Sequence, residues 1–331
     1  MRILIITPRQ PRETGNRITA ERYRRGLEEQ GHRVLIAEVS EDPAPLEQAI
    51  VTFQPDLAHL LHAFRSGTPW LASPAARQLP FVVTLTGTDI HQGIDDPAEG
   101  PLIREVLQRA AAVITQNSRT FTELRGRPEF ADRLHYLPPG IIIGTAPYPL
   151  NERLELTRDT VLFLHPAGIR PVKGNLELLH MFDPLARPSL KVAFCGPFLD
   201  AAYGERFLAE VTARPWASWL GAVPPAAMAA VLLQADVILN NSLCEGLSNA
   251  LLEAAALGQP ILARDNPGNA AVVDAGSNGL LYRSGAEFSL HAGALLDSPE
   301  LRYSLSRPRP DLYDRRLEAQ ELAAIYREIA S

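Results

Sequence analysis

Short apolar runs alternate with helix-like segments along this chain, and the alternation starts afresh in its second half. In the first half, strand-like runs fall at residues 2–7, 33–39, 57–62, 81–86, 112–115 and 134–137. Helical patterns lie between them, near 17–29, 45–53, 69–77, 101–109 and 118–125. In the second half the runs fall at 161–166, 191–195, 218–220, 237–240, 260–263 and 280–282, with helices near 175–181, 204–213, 226–233, 248–257, 268–274 and 287–297. Strand, helix and strand in repeated succession predict parallel sheets with helices on both faces, here two successive doubly wound, Rossmann-like α/β domains. The length of 331 residues also favours two cores over one. Residues 138–158, rich in Pro and Gly, break both periodicities and mark the boundary. The expected division is 1–150, 151–310 and a C-terminal amphipathic helix over 311–331, with apolar Leu312, Leu317, Leu322, Ala323, Ile325 and Tyr326 on one stripe and free to return to the first domain.

Composition removes several classes of partner. A formal net charge of −6 gives no support for nucleic acid or an anionic membrane. No apolar run reaches membrane-spanning length. Met1 to Thr7 is read as a first strand and not a secretory signal, so a cytoplasmic protein is expected. Cys195 and Cys244 make neither a disulfide framework nor a metal cluster, and are expected to be buried thiols in a reducing compartment. Only Lys173 and Lys191 are lysine among 32 basic residues, which makes an ammonium at either place a modest hint of purpose.

The strand at 237–240 runs into Asn241-Ser242-Leu243-Cys244-Glu245-Gly246-Leu247-Ser248, and a helical pattern follows at once. In parallel α/β sheets ligands sit at the carboxyl ends of strands, and the first turn of a helix offers unpaired N–H groups to a phosphate. Glu245 precedes the helix; Glu253 falls on its second turn. Carboxylates so placed can accept hydrogen bonds from sugar or ribose hydroxyls. Two solvated acids are the plain alternative, but the helix is apolar nearly all round, and a buried acid needs a partner. The segment therefore suits a nucleotide-sugar.

The strand at 161–166 ends in Gly168-Ile169-Arg170-Pro171-Val172-Lys173-Gly174-Asn175. This is neither the GxxxxGK[ST] loop nor GxGxxG. It offers two cations three residues apart, able to neutralise a departing diphosphate. Gly15 and Asn16, within Thr14-Gly15-Asn16-Arg17, lie in the first βα turn, where glycine lets backbone amides approach a ligand. His62 ends the third strand and Thr86-Gly87-Thr88-Asp89 the fourth, so both belong to a strand-end rim, with Arg65 beside His62. His59 follows the alternation into the sheet and is expected to be structural; His91 is a rim or solvated residue. Asn266-Pro267-Gly268-Asn269 makes a tight turn ahead of the helix expected at 268–274. There is no DxD triplet, HExxH, CxxC or GxSxG, so neither a metal nor a cofactor is expected.

At these residues the chain resembles the retaining GT-B transferases of glycosyltransferase family 4. The marks are Glu245 and Glu253 with seven residues between, and Arg170 with Lys173-Gly174; the likeness runs on through Pro260–Ala263 to Gly279-Leu280-Leu281. The first domain resembles the glycosyltransferase-1-domain-containing proteins at Thr14–Asn16, Thr19-Ala20, His62, Arg65 and Thr86–Asp89, as does Pro267–Val273. Selenosugar synthases have a similar first domain. The resemblance implies a metal-independent hexosyl transfer from a nucleotide-sugar, a uridine one being expected, by front-face attack across a crevice between the lobes. It gives Glu253 the ribose hydroxyls, Glu245 the donor sugar with the amides of Gly246, Leu247 and Ser248, and Arg170 and Lys173 the diphosphate, helped by Gly15. His62 falls near the sugar, and Arg65, Thr88 and Asp89 on the acceptor or sugar side. Many family members carry a histidine where this chain has Gly87-Thr88. Transfer to a selenium or sulfur nucleophile, a nucleotide-sugar epimerase or hydrolase, and a catalytically silent binding module are the alternatives on one scaffold.

Overall fold

The computed structural model describes residues 1–9, 15–40, 42–91, 93–127, 130, 132–308 and 313–330. They form two compact units, Met1–Ile141 with Tyr313–Ser331, and Ile142–Leu312. The division falls at Ile141, inside the stretch 138–158 read as the boundary though before the expected domain limit at 150, and the C-terminal helix belongs to the first unit.

The first unit holds a parallel sheet of β1 (Arg2–Pro8), β2 (Arg33–Val39), β3 (Leu57–Leu61), β4 (Phe81–Leu85), β5 (Ala112–Thr115) and β6 (Leu134–Tyr136), ordered β2-β1-β3-β4-β5-β6. Side chains alternate across a strand, so each strand feeds two cores. Leu4 and Ile6 of β1 join one apolar cluster with Leu46, Ile50, Ile103 and Val106. Ile3 and Ile5 join another with Ala20, Tyr23 and Leu27, which Leu322, Ala323, Ile325 and Tyr326 complete from the C-terminal helix Arg315–Ala330. That helix lies against Gly15–Glu28. At Gly26 a Cβ would stand 2.6 Å from Ala319 Cβ, so the approach requires glycine. Beside it Arg22 and Glu318 form a buried ion pair, Nε to Oε2 2.8 Å. His59 is structural, as expected: its ring nitrogens meet Tyr326 Oη at 2.5 Å and Thr84 Oγ1 at 2.7 Å.

The second unit holds β7 (Val161–Pro166), β8 (Leu190–Cys195), β9 (Ala217–Trp219), β10 (Val237–Asn240), β11 (Ile261–Arg264) and β12 (Gly279–Tyr282), all parallel and ordered β12-β11-β10-β7-β8-β9. The chain builds outward from β7 through β8 to β9, then crosses back and builds the other way from β10. The switch point therefore lies between β7 and β10, where a doubly wound sheet opens a crevice for ligand. In the first unit it lies between β1 and β3.

One expected helix is absent: residues 268–274 form a series of turns. Asn269 is completely buried and its side chain donates to the Arg264 carbonyl, while Asn278 binds the backbone of Asp274 and Val272. Such side-chain bonds compete with a helix ladder, and Gly268 with β-branched Val272 and Val273 does little to resist them. The helix expected over 69–77 is also split, into Gly67–Ala72 and a 3-10 turn at Pro74–Ala76.

Candidate functional site

Two loops meet at the switch point of the second unit. After β7, Arg170 leads into a 3-10 turn, Pro171–Lys173, closed by Gly174 in the left-handed conformation at φ 60°. After β10 comes Asn241–Ser248. Leu243 N–H donates to Val172 O at 2.8 Å, so the loops are joined through their backbones. Across this junction Lys173 Nζ pairs with Glu245 Oε2, and the Ser242 hydroxyl donates to the same oxygen at 3.0 Å. Burial alone would raise the Glu245 carboxyl above its usual range. The charge and hydrogen bond of Lys173, the Ser242 hydroxyl and the charge of Arg170 outweigh it and hold the group low. Glu245 is thus an anion at neutral pH.

The helix behind Glu245 runs Asn249–Leu257 and is capped by the Ser248 hydroxyl, which accepts from Leu251 N–H. Leu251, Leu252, Ala254, Ala255 and Ala256 are buried, as its apolar sequence requires. Gly246 is buried and Leu247 partly exposed, both just ahead of the cap. Glu253 lies close enough to the end of β8 for its charge, after burial, to help push the Cys195 thiol up to about 12. Cys195 is buried as expected; Cys244, within the loop, is partly exposed.

Beneath these loops lies a polar layer that sequence reasoning missed. Asn241, with no exposed surface, donates to Gly174 O at 2.8 Å and accepts from Tyr282 Oη at 2.6 Å and Arg264 Nε at 3.0 Å. Arg264 in turn pairs with Glu177 at 2.6 Å. Asn240 accepts from Ser242 N–H and donates to Ser248 Oγ. Gly268 rests on the loop, where a Cβ would lie 2.2 Å from the Glu245 carbonyl oxygen. The one available signal was the pair Asn240-Asn241 at the end of an apolar strand, since buried amides need partners.

In the first unit Gly15 is exposed at the start of its helix and Asn16 partly exposed; Thr14 lies outside the described residues. His62 directly follows β3, with φ 87°. Its Nδ1 accepts from the N–H groups of Phe64 and Arg65, each at 3.2 Å. The proton therefore sits on Nε2, which donates to Thr88 Oγ1 at 3.1 Å. Burial lowers the His62 pKa; the nearby Asp89 charge opposes this without reversing it, so the ring is neutral. Asp89 has no exposed surface. Its carboxylate accepts from Ala63 N–H at 2.9 Å, Thr86 N–H at 3.0 Å and Gly87 N–H at 2.9 Å. Three amides consume it, so Asp89 joins the loops after β3 and β4 and has no face for a substrate. Thr88 is partly exposed and Arg65 exposed.

The structure thus gathers Arg170, Lys173, Glu245 and Ser248 around one strand-end junction, with Glu253 on the following helix. His62, Thr88 and Asp89 form a second cluster within the first unit. Among the described residues no group of three or more His, Cys, Asp or Glu could hold a metal ion, and no helix is long and apolar enough to cross a membrane.

Residues 2–140 match the family model described as glycosyl transferase 4-like domain, and residues 151–307 the model described as glycosyl transferases group 1. Glycosyltransferase 1 domain-containing protein 1 of Xenopus tropicalis is 26% identical over 310 residues, covering 87% of this chain and 86% of that protein. The sucrose-phosphate synthase of Thermosynechococcus elongatus shares the fold with a TM-score of 0.82 and 16% identity, over 99% of this chain and 98% of that one. HepE of Anabaena, solved in complex with UDP-glucose, gives 0.80 and 17%, over 99% and 100%. The chain is a glycosyltransferase of GT-B fold, its first domain glycosyl transferase 4-like and its second of group 1.

Proposed function

We propose that this enzyme moves a sugar from a UDP-sugar to an acceptor nucleophile, with retention of anomeric configuration and without a metal ion. The observation that carries the reading is the Lys173–Glu245 pair at the switch-point junction, with Arg170 on the same loop. It puts fixed cations and an ionised carboxylate within one site, as a diphosphate joined to a sugar requires. HepE, which shares the fold, is solved with UDP-glucose.

In this reading Arg170 and Lys173 bind the diphosphate. Glu245 and the amides of Gly246, Leu247 and Ser248 take the sugar and its phosphate, and Glu253 takes the ribose hydroxyls. The bond from the anomeric carbon to the diphosphate oxygen breaks while the acceptor attacks on the same face. The acceptor proton passes to the leaving oxygen, and the cations receive the growing negative charge. The family resemblance assigns the neutral His62 to the donor sugar and the Gly15 amides to the diphosphate, with Asn16 also on the donor.

A thermal-shift series with UDP-, GDP- and ADP-sugars tests the donor, since a ligand that binds only the native state raises the melting temperature. Selective stabilisation by a UDP-sugar, undiminished in EDTA, is expected. Equal indifference to all three would remove the donor assignment, and loss of turnover in EDTA would remove metal independence. An acceptor panel of alcohols, thiols and selenide, with the product anomer read by NMR, tests retention.

A further inference from the structure

The second unit carries a recess of about 460 Å3 beside its edge strand β9, within the range of small-molecule sites. Its wall shares no residue with the loops after β7 and β10. Three cations line it, Arg153, Lys191 and Arg214, and among the described residues no Asp or Glu does. Arg214 is already neutralised, by Asp183 at 2.7 Å and Glu210 at 2.6 Å.

The other two cations meet only neutral partners. Arg153 lies over the Tyr148 ring, 5.4 Å from its centre, and donates to Tyr148 Oη and, at 3.3 Å, to Leu220 O. Lys191 Nζ donates to Pro215 O at 3.3 Å. Among the described residues neither forms an ion pair. A guanidinium has five N–H donors and an ammonium three, so most of their capacity is unspent. On a chain of net charge −6 this is a local reversal of sign. The ring and the Leu220 carbonyl also fix the guanidinium before any ligand arrives, which reduces the entropy lost on binding. Leu208, 41% exposed, offers this mostly polar recess an apolar contact, while Val211 beside it is buried.

We infer that this recess is a second binding site, for a small molecule with a phosphate or carboxylate head and an apolar body. The head meets Arg153 and Lys191; the body lies on Leu208.

The test is calorimetric titration of the full chain with phenyl phosphate, in a background carrying Arg170→Gln and Lys173→Gln. That background removes the cations of the donor loops, so the outcome does not depend on the donor assignment. Saturable binding is expected to persist there and to weaken about tenfold when Lys191→Gln or Arg153→Gln is added, as for loss of one charge-assisted hydrogen bond. Leu208→Asn should weaken phenyl phosphate and leave inorganic phosphate unchanged. Melting curves show that each variant is folded. No saturable binding in the background, or binding indifferent to Lys191 and Arg153, overturns the inference.

Discussion

Asn241 Nδ2 donates to the carbonyl oxygen of Gly174 at 2.8 Å, and this bond fastens the lysine-bearing loop after β7 to the end of β10. Gly174 is left-handed at φ 60°, and a Cβ there would lie 2.5 Å from Asn241 Nδ2 and 2.8 Å from Asn241 O. Gly174→Ala therefore meets both backbone strain and a backbone contact that cannot yield cheaply. A loss of about 1–3 kcal/mol is expected from the strain alone, read from urea unfolding, with a higher KM for donor as Lys173 shifts. A variant as stable and active as the wild type would show that this junction does not set the position of Lys173.

Glu245 makes a prediction about pH. Its native pKa lies below the ordinary value of 4.5 because Lys173 and its other partners outweigh burial. The unfolded chain then binds this proton at a higher pH than the native chain does. The stabilisation is full above 4.5 and is lost as pH falls through the native value. In Lys173→Gln burial should dominate, and the Glu245 carboxyl should titrate above its ordinary value in a carbon-13 NMR experiment. Turnover should fall about 10²–10³-fold, as for other lost charge-stabilising groups. A Glu245 that still titrates low without Lys173 would mean that another cation holds it.

The buried histidines act in a different window. Burial lowers both His59 in the first unit and His165 in the second to about 3, the Lys173 charge adding to the effect at His165. Among the described residues His165 Nε2 has no hydrogen-bond partner. Below the ordinary value of 6.5 the unfolded chain takes up protons that these native rings refuse. Stability should therefore fall on acidification from pH 6.5 toward 5, by up to about 1.4 kcal/mol per pH unit for each ring. Melting temperatures across that range check it, and His59→Gln should flatten the first unit's share. A level profile between those limits would be incompatible with neutral buried rings.

The central strands were legible because a parallel strand buried on both faces is a continuous run of Val, Ile, Leu and Phe, as in Val161–Leu164 and Val237–Leu239. The helix Asn249–Leu257 was legible from its composition. The polar layer was not, because its bonds cross strands in sheet order, which chain order does not give. Asn241 reaches Gly174 only because β10 lies beside β7, and Tyr282 reaches Asn241 from β12, two strands further along the sheet. Asp89 shows the other limit. In sequence a rim carboxylate looks the same as one consumed by three amides. The helix expected at 268–274 failed because the Asn269 side chain binds the Arg264 carbonyl and Asn278 binds the backbone of Val272 and Asp274 instead.

The pair Arg22 and Glu318 supplies the last prediction. The two side chains are 3% and 1% exposed, and Gln116 donates a further hydrogen bond to Glu318 at 2.6 Å. A buried pair contributes little net stability over an apolar substitute, yet removing one partner leaves the other charged and poorly solvated. Glu318→Gln should thus cost about 3–5 kcal/mol, while Arg22→Met with Glu318→Leu should recover much of that loss. The helix Arg315–Ala330 adds Leu322, Ala323 and Tyr326 to the core of the first unit, so the single variant should also release its C-terminal segment faster in limited proteolysis. Urea unfolding of Arg22→Met, of Glu318→Leu and of the double variant closes the cycle. If the double variant loses the sum of the two singles, the ions act independently, and the hold on the C-terminal helix must come from the apolar contacts and the close approach of Ala319 to Gly26.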